Sequence, residues 1–475
     1  MATNTPVRAE KSDLTRPHLV RGLGLWAATA IVVGDTIGTG VFLVSSDMAR
    51  AVGSAALVFV AWVLGGFIVL LGAICYAELG AAFPKAGGPY VYLSRGLGPL
   101  WGFLFGWMSS FLDRPVAMAG LGAGFIRFMS FFFPALATPL FTGHIAHQEF
   151  TFTAAQPLAA LVVVLLTGVN YFSVKMSGGI QVLLTSLKVG TLAIIAFGGL
   201  LLGHSAGASA AASAAAQVRP AGLRMIGAVL TALVPAMWAY NGFNDLGSLG
   251  EEIKEPGKNI PRAILLGLFT VGGLYLLANI GYFHVLPFAT AAGSQHIASD
   301  AVQMFAGSRG ASWLTLAMAA SAFGALHVVI LTGARIPYAM ARDRVFFQFA
   351  ARVHPSFNTP TGALLFLGCV AVVLALTGTF EELYSLFIFA VWIFFALTGI
   401  ALLRLRRVEP DLVRPYRAWA YPLTPLIFVV AAIALTVNLW MVRPVRSSVG
   451  LAVILLGIPF YYRWRRGSFG GSEDR

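Results

Sequence analysis

The sequence contains little cysteine and little charge, and both absences narrow what the chain is. Only 2 of its 475 residues are cysteine, and Cys75 and Cys369 each lie in an apolar run. We therefore expect two small core residues rather than a disulfide or zinc framework. Charged residues make up 11% of the chain, against about 25% in soluble domains. This composition excludes an ordinary soluble globular protein.

Long apolar runs take the place of the missing charge. The chain is 58% hydrophobic, and its mean hydropathy is +0.80. A helix that crosses a bilayer needs about 20 apolar residues. Twelve such segments span residues 22–46, 54–80, 97–132, 157–173, 178–203, 225–249, 261–286, 310–340, 361–380, 383–404, 420–441 and 448–464. The sequence therefore predicts an all-α membrane protein with twelve transmembrane helices.

The positive charge of the chain follows this predicted topology. A formal net charge of +13 is large enough to suggest nucleic acid binding. Most of the 32 lysines and arginines, however, fall in the two termini and in the even-numbered loops. Such a bias marks the cytoplasmic side of a membrane protein. We therefore predict a multi-pass protein of the inner (plasma) membrane of the cell, with both termini cytoplasmic and no nucleic acid partner.

Three glycines interrupt the first apolar segment where a helix should be continuous. They are Gly34, Gly38 and Gly40. An unpaired backbone group in hydrocarbon is so unfavourable that a membrane helix breaks only where the freed groups line a cavity or bind a ligand. We interpret the stretch from Ile37 to Gly40 as a hinge whose N–H groups attract a carboxylate. Packing of small residues against another helix is the alternative.

A second interruption lies around Gly242 in the sixth apolar segment. Asn241, Asn244 and Asp245 flank it, and such side chains are unfavourable against lipid. Paired interruptions at matching positions in two halves indicate an inverted-repeat transporter with a site at the bilayer midplane. The predicted divisions are a polar cytoplasmic N-terminus (1–20), a first repeat (21–203), an outer loop (204–224), a second repeat (225–404), two further helices (405–466) and a cytoplasmic tail (467–475).

A few ionisable residues fall inside the predicted helices. For Asp113 and Arg114 in segment three, a structural clamp is favoured over substrate contact, and as sequence neighbours on a helix they need not pair. Lys188 in segment five fits a proton carrier, a fixed cation in place of sodium, or a tether to helix carbonyls. His327 in segment eight is expected to be a hydrogen-bonded structural residue.

Several ordered motifs carry a family resemblance. The stretch 37–42 (IGTGVF) resembles the first-helix signature of the amino acid–polyamine–organocation superfamily. Residues 76–80 (YAELG), 169–175 (VNYFSVK) and 251–256 (EEIKEP) narrow the resemblance. Over residues 20–466 the chain resembles the L-type amino acid transporters, which are the light chains of heteromeric transporters, and their bacterial relatives.

This resemblance implies a sodium-independent amino acid exchanger with twelve spans, a five-plus-five inverted repeat, and broken helices 1 and 6. The carbonyl groups of Thr36, Trp238 and Asn241 would receive the ammonium group of the substrate. The N–H groups around Thr39 and Gly40 would hold its carboxylate. Recognition through the main chain suits any α-amino acid, because two broken helices offer bare N–H groups at one end and bare carbonyls at the other.

The resemblance also assigns side chains. Trp238 would gate the site, Asn244 and Asp245 would line the side-chain pocket, and Lys188 would occupy the place of a sodium ion. The implied substrate-binding set is Thr36, Ile37, Gly38, Thr39, Gly40, Trp238, Ala239, Asn241, Asn244 and Asp245, with Lys188 as a coupling or structural cation. No cofactor, metal or catalytic residue is predicted.

Three departures from the family pattern stand out. Asn241 replaces a small residue that is common in members with neutral substrates. Asp35 and Asp245 add carboxylates that could attract a cationic substrate or bind a proton, and an internal hydrogen bond is an equal alternative for Asp35. The loop at residues 133–135 lacks the cysteine that light chains use to bond their partner. We therefore expect an amino acid substrate and the lipid bilayer as partners, but no disulfide-linked heavy chain.

Two rival functions remain at this stage. Proton-coupled uptake of an amino acid or a polyamine is the nearer alternative to exchange. A membrane-embedded enzyme is the farther one, because Glu78, His327 and Asp245 do not form a recognisable catalytic set. The two histidines and the glutamate within residues 144–149 lack the further ligands of a metal site and are interpreted as a solvated outer loop.

Overall fold

The computed structural model describes residues 21–85, 87–145, 148–172, 178–204, 222–357 and 359–469. The predicted polar N-terminus (1–20) lies outside the described residues, and so do most of the predicted outer loop (204–224) and the end of the predicted tail (467–475). The predictions for these stretches therefore remain predictions.

Helices account for most of the described chain. The helices of the first part are α1 Leu25–Thr36, α2 Gly40–Val52, α3 Ala55–Ala82, α4 Pro89–Gly96, α5 Pro99–Met108, α6 Arg114–Met129, α7 Ala155–Phe172, α8 Gly178–Ala193 and α9 Gly199–Leu202. Two π-helical turns, Ser109–Asp113 and Ile194–Gly198, join α5 to α6 and α8 to α9. A short 3₁₀ helix, Pro134–Ala137, follows α6.

The second part continues in the same way. Its helices are α10 Leu223–Ala239, α11 Pro256–Val285, α12 Phe288–Gly293, α13 Ile297–Gly333, α14 Arg335–Arg342, α15 Thr361–Thr377, α16 Phe380–Val408, α17 Leu423–Val442 and α18 Pro444–Phe469. The 3₁₀ helices Asp245–Glu252 and Gln348–Ala351 lie between them. Within α13, Gly307 has a φ of 67°, which places a kink in that helix.

The described residues contain eight helices that are long and apolar enough to cross a membrane, or nine if the bent pair α1 and α2 forms one span. Large apolar side chains cover their outer surface: Trp26 is 78% exposed, Trp313 74% and Met441 76%. Apolar patches of this extent are what a lipid environment covers. The structure is therefore that of a mostly helical, multi-pass membrane protein.

Three of the twelve predicted segments, 97–132, 225–249 and 361–380, are not among the eight or nine candidate spans. The segment 97–132 is divided by a π-helical turn, the segment 225–249 loses its α-helix at Ala239, and the segment 361–380 holds a helix of 17 residues. Helix length alone therefore gives fewer spans than hydropathy, because an apolar run need not be a single regular helix.

The prediction of a purely α-helical protein is wrong in one place. Strands β1 Pro139–Ile145 and β2 Gln148–Thr153 form an antiparallel hairpin in which Phe141 pairs with Phe152 and Thr142 with Thr151. Aromatic and β-branched residues favour strands, and cross-strand pairs of them stabilise a hairpin. The predicted solvated loop at residues 144–149 therefore belongs to a hairpin, although His147 lies outside the described residues.

The two cysteines differ in their surroundings. Cys75 is buried, as predicted, whereas Cys369 on α15 is exposed, and neither is bonded. The prediction for Cys369 is wrong because an apolar run in a membrane helix suits a lipid-facing surface as well as a protein core.

Helices α1, α2, α10 and α11 are packed together, with α1 against α11 and α10 against both α2 and α3. Near the start of α1, Leu23 and Ile253 form a parallel backbone bridge. The Leu23 N–H donates to the Glu252 carbonyl at 3.0 Å, and the Lys254 N–H donates to the Leu23 carbonyl at 2.8 Å. This bridge ties the start of α1 to the end of the 3₁₀ helix Asp245–Glu252.

A buried carboxylate anchors the segment between α16 and α17. Glu78, 1% exposed, accepts from Arg406 Nε at 2.9 Å and from Arg406 Nη2 at 2.6 Å. It also lies 3.3 Å from Arg414 Nε and accepts the Ala418 N–H at 2.6 Å. The Arg406 guanidinium stacks over Tyr421 at 4.2 Å. One charge thus joins α3, α16 and the chain that follows α16.

We expect Glu78→Gln to destabilise the protein by about 3–5 kcal/mol, because removing one partner leaves buried guanidinium groups uncompensated. Thermal unfolding of the purified protein in detergent measures the effect. The matched control is Glu409→Gln. Glu409 pairs with Arg95 at 3.3 Å, and the Arg95 side chain is more than half exposed. Loss of this surface pair should change stability by less than about 1 kcal/mol. Equal losses in the two variants would contradict the anchoring role of Glu78.

Candidate functional site

The first helix break lies between α1 and α2. The two helices meet at an angle of 45° across residues 37–39. The Ile37 N–H still bonds to Val33 at 2.9 Å, and the Gly38 N–H turns back to the Thr36 carbonyl at 2.9 Å. Thr36, Ile37 and Thr39 are buried, whereas Gly38 is partly exposed. Gly40 begins α2, and the first N–H groups of a helix have no partners within it.

The second break follows α10. The helix ends at Ala239, residues 240–244 form turns, and the 3₁₀ helix begins at Asp245. Gly242 has a φ of 124°, a conformation that residues with a side chain rarely adopt. Asn244 is 9% exposed, and Asn241 is partly exposed. The predicted residues of this segment therefore lie at or beside the break.

The two breaks touch each other through glycine. A Cβ atom added to Gly40 would lie 2.6 Å from the Cα of Ala239, and one added to Gly242 would lie 2.9 Å from the carbonyl carbon of Asp35 and the nitrogen of Thr36. No side chain larger than hydrogen fits at either contact without displacing backbone. Glycine is thus required both for the turn at Gly242 and for the close approach of the two chains.

A tyrosine that sequence reasoning missed joins the breaks. The hydroxyl of Tyr275, on α11, lies 2.9 Å from the Thr36 carbonyl and 2.9 Å from the Ala239 carbonyl, and donates its proton to this pair. Tyr282, two turns further, donates to the Val41 carbonyl at 3.2 Å. The sequence signal was weak: a buried tyrosine needs a partner for its hydroxyl, but its position on α11 does not say which one.

Lys188 reaches the first break from α8. It is 4% exposed, and its Nζ donates to the Gly34 carbonyl at 2.9 Å. Of the three alternatives left open by the sequence, this contact is that of a tether to a helix carbonyl. A fixed ammonium group therefore lies against α1 one turn before the helix ends.

Arg114 links the two halves of a polar cluster. Its Nη1 and Nη2 donate to both carboxylate oxygens of Asp245, at 3.3 and 3.1 Å, and its Nε lies 3.3 Å from Asp113 Oδ2. Asn244 also donates to Asp245, at 2.9 Å, and Ser109 donates to Asp113, at 2.9 Å. A bidentate guanidinium holds a carboxylate firmly, so Arg114 pairs with both aspartates, and its single positive charge balances one of their two negative charges.

This geometry corrects one expectation and supports another. Asp113 and Arg114 do pair although they are neighbours in sequence, because the long arginine side chain can fold back over the π-helical turn Ser109–Asp113. The cluster also behaves as the expected clamp, since it connects α6 with the 3₁₀ helix after α10. Gly333 on α13 leaves room for the arginine stem, because a Cβ there would lie 3.2 Å from Arg114 Cβ.

Asp35 differs from the other charged residues of the site. Its side chain is exposed, although its neighbours Gly34 and Thr36 are buried. With the described residues it makes no hydrogen bond and no ion pair. The internal hydrogen bond considered as an alternative for Asp35 is therefore not formed. Lys188, Arg114 and Asp245 are the charged groups whose fields reach it.

Trp238 covers one side of the breaks. It is 9% exposed, and its Nε1 donates to Thr39 Oγ1 at 3.4 Å. Its ring centroid lies 6.1 Å from that of Phe380, 6.4 Å from Tyr384 and 5.0 Å from Phe387, all on α16. The contacts with Phe380 and Phe387 are edge-to-face, and such packing fixes the indole in place. The breaks are therefore covered by a wall of aromatic rings on the side of α2.

A charged layer lies beyond this wall. Tyr384 donates to Asp47 Oδ2 at 3.0 Å, and Arg50 pairs with Oδ1 of the same carboxylate. Arg127 also approaches Asp47, at 3.8 Å. A cavity of about 260 Å³ lies between α2, α10, α16 and α17, lined in part by Asp47, Tyr384 and Asn438. These contacts tie α2 to α16 on the side where Trp238 packs against α16.

His327, a further candidate from the sequence, forms a hydrogen bond inside the helix bundle. Nδ1 of His327 lies 3.0 Å from Nδ2 of Asn170, as expected for a hydrogen-bonded structural histidine. Among the described residues, no three His, Cys, Asp or Glu side chains form a group that could hold a metal ion. Chemically, the arrangement offers two meeting backbone breaks, one free carboxylate and an aromatic cover, which suits binding of a small polar molecule.

Comparisons with known proteins agree with this reading. A family model described as "amino acid permease" matches residues 23–461. The chain is 31% identical over 453 residues to the human large neutral amino acids transporter small subunit 2, covering 94% of this chain and 80% of that protein. It is 28% identical to the serine/threonine exchanger SteT of Bacillus subtilis (strain 168), covering 94% of this chain and 98% of that one.

A third relative is similar to the chain over nearly its whole length. The chain is 27% identical over 468 residues to the mouse b(0,+)-type amino acid transporter 1, covering 97% of this chain and 91% of that protein. These relatives are transporters rather than enzymes, and the family resemblance predicted from the motifs is confirmed. The chain belongs to the amino acid permease family of membrane transporters.

Proposed function

We propose that the protein is a sodium-independent amino acid transporter that exchanges substrates by alternating access around the meeting point of the two breaks. The observation that carries the proposal is the Tyr275 hydroxyl, which lies 2.9 Å from the carbonyl oxygens of both Thr36 and Ala239. Helix ends brought together in this way within the bundle are typical of a central substrate site in transporters.

The substrate is proposed to bind as a zwitterion. Its carboxylate is held by the N–H groups of Gly38, Thr39 and Gly40, at the positive end of α2. Its ammonium group is received by carbonyls at the ends of α1 and α10, as Thr36, Trp238 and Asn241 were predicted to do. The Thr36 carbonyl already accepts from Gly38 and Tyr275, so the ammonium group competes with the tyrosine for it.

The side chains of the second break set selectivity in this proposal. Both oxygens of Asp245 accept from Arg114, and Asn244 donates to one of them. A carboxylate compensated in this manner is a poor attractor for a cation. We therefore assign Asp245 and Asn244 to the wall of the side-chain pocket. Trp238 is the gate that covers the bound substrate.

We further propose the predicted topology of twelve spans in a five-plus-five inverted repeat, with residues 21–203 and 225–404 as the repeats. The divided or short helices in segments 97–132, 225–249 and 361–380 then count as spans. Both termini are cytoplasmic, and the protein lies in the plasma membrane. Cys75 and Cys369 are both far along the chain from residues 133–135, so no disulfide-linked heavy chain is proposed.

Alternating access follows from the way the breaks are supported. The bridge between Leu23 and Ile253 joins α1 to the 3₁₀ helix after α10, so these two elements move together. We propose that α1, α2, α10 and that 3₁₀ helix rock with α3 and α11 against the rest. Since α2 is tied to α16 through Asp47 and Tyr384, the conformation described is closed on the side of Trp238.

The exchange proposal predicts that proteoliposomes loaded with unlabelled serine or leucine take up the labelled amino acid severalfold faster than empty ones. The reason is that the empty carrier returns more slowly than the loaded one. Replacing external sodium by choline should leave the rate unchanged. Uptake that ignores internal amino acid but requires sodium would contradict both parts of the proposal.

Lys188 provides a second test. In Lys188→Met the Gly34 carbonyl loses its partner, and an unpaired buried group costs about 1–3 kcal/mol. We expect uptake to fall by about tenfold or more, since 1.4 kcal/mol corresponds to a factor of ten. The control is Lys258→Met, because Lys258 is exposed and its ion pair among the described residues is with exposed Glu255. Unchanged uptake in Lys188→Met would refute the role of the tether.

The contact between the breaks provides a third test. In Gly40→Ala the new Cβ would lie 2.6 Å from Ala239, and we expect a loss of stability of about 1–3 kcal/mol from overpacking. Gly38→Ala is the matched control for stability, because nothing lies within 4 Å of a Cβ at that position. Thermal unfolding in detergent compares them. Equal melting temperatures for the two variants would show that the breaks do not touch.

A further inference from the structure

We propose that Asp35 binds a cation on the substrate path, so that the site takes up one positive charge together with the zwitterion. The inference rests on the proposed function and specifies its substrate class. The cation is either the charged side chain of a basic amino acid or a proton that accompanies a neutral one. Asp35 is the carboxylate of the site that forms no ion pair with a described residue, whereas Asp113 and Asp245 both pair with Arg114.

The exposure of Asp35 is to an internal space rather than to lipid. An α-helix turns by about 100° per residue, so Trp26, nine residues earlier, lies on the opposite face of α1. Trp26 is 78% exposed and marks the outer face. Ala28, seven residues before Asp35, lies on almost the same line along the helix and is 0% exposed. Asp35 therefore faces the protein side of α1, at a point where that side opens.

The backbone of Asp35 lies at the contact between the two breaks. Its carbonyl carbon is the atom that a Cβ on Gly242 would approach to 2.9 Å. Its neighbour Gly34 accepts from Lys188, and its other neighbour, Thr36, accepts from Tyr275. The backbone of Asp35 thus lies where the first break contacts the second.

The charges around the breaks do not balance. Among the described residues, three carboxylates (Asp35, Asp113 and Asp245) face two cations (Arg114 and Lys188). Arg114 is occupied by Asp113 and Asp245, and Lys188 by the Gly34 carbonyl. A zwitterion adds no net charge, so one negative charge is left at the centre of the bundle. Uncompensated charge at this depth is unfavourable, and a bound cation removes the imbalance.

Two side-chain oxygens at the breaks, one on the residue after Asp35 and one two residues after Gly242, have no hydrogen-bond partner among the described residues. Thr36 Oγ1 and Asn244 Oδ1 are buried and accept no hydrogen bond from the described residues. Buried polar atoms of this kind are rare unless a ligand or water completes them. Oxygen acceptors beside a carboxylate suit an ammonium or guanidinium group, which brings several N–H donors.

The test compares Asp35→Asn with the wild type in proteoliposomes that contain the full chain. One arm measures the ratio of labelled lysine to labelled leucine uptake, and the other measures leucine uptake with and without an inward proton gradient. The control is Asp343→Asn, since Asp343 is an exposed aspartate beyond α14. Asp35→Glu keeps the charge but moves the carboxylate by one methylene, so it should alter whichever dependence the wild type has without abolishing it.

If the cation is a side chain, Asp35→Asn lowers the ratio of lysine to leucine uptake by at least about tenfold, the effect of one charge interaction worth about 1.4 kcal/mol. If it is a proton, the wild type responds to the gradient and Asp35→Asn does not. An unchanged ratio together with an unchanged response overturns the inference. Absence of uptake and of amino acid binding in the wild type overturns the proposed function itself.

Where Asp35→Asn fails to fold, Asp35→Glu carries the test, because it moves the carboxylate by one methylene without removing it. It should then change the ratio of lysine to leucine uptake, or the response to the proton gradient, while its melting temperature in detergent stays near that of the wild type. A folded Asp35→Glu protein with wild-type values for both quantities would count against the inference.

Discussion

The structure depends on the requirement that backbone polar groups inside a membrane protein find partners. At residues 37–39 and 240–244 the helices end, and their N–H and C=O groups are released among apolar neighbours. The molecule meets this requirement by placing the two breaks against each other and inserting the Tyr275 hydroxyl between the Thr36 and Ala239 carbonyls. Such an arrangement provides partners for part of the released groups.

Close approach is the geometric consequence of this requirement. Gly40 packs on Ala239 and Gly242 packs on the backbone of Asp35 and Thr36, at distances that admit no additional carbon atom. Glycine here serves both alternatives raised by the sequence, since the same residues form the break and the helix contact. The hinge reading and the packing reading are therefore not exclusive, because a hinge that binds a ligand between two chains needs those chains to lie close.

Most charged groups in the apolar interior also have partners. Glu78 pairs with two arginines and accepts a backbone N–H, and Arg114 pairs with two aspartates. Each of these groups joins elements that are distant in sequence, so each contributes to the architecture as well as to the electrostatics. Asp35 is the exception at the breaks, since its exposed carboxylate forms no ion pair with a described residue.

The sequence by itself determined the class of the protein, the family and the positions of the two interruptions. Hydropathy, glycine spacing and the motif IGTGVF are local properties, which a chain displays before it folds. Helix ends do lie at Thr36 and Ala239, next to the glycines that indicated them. The sequence could not determine the partners of Lys188, Arg114 and Tyr275, the β-hairpin at residues 139–153, or the lipid exposure of Cys369.

Only the tertiary structure decided these points, because they depend on which helix faces which. Asp35 and Asp245 read alike along the chain, as single carboxylates beside a break. Packing places Arg114 against one and leaves the other facing an open space. A pairing between residues 131 positions apart cannot be recognised from local composition. Hydropathy and glycine spacing are local properties and can be. The sequence therefore determined the class and the breaks, and the fold determined the pairings.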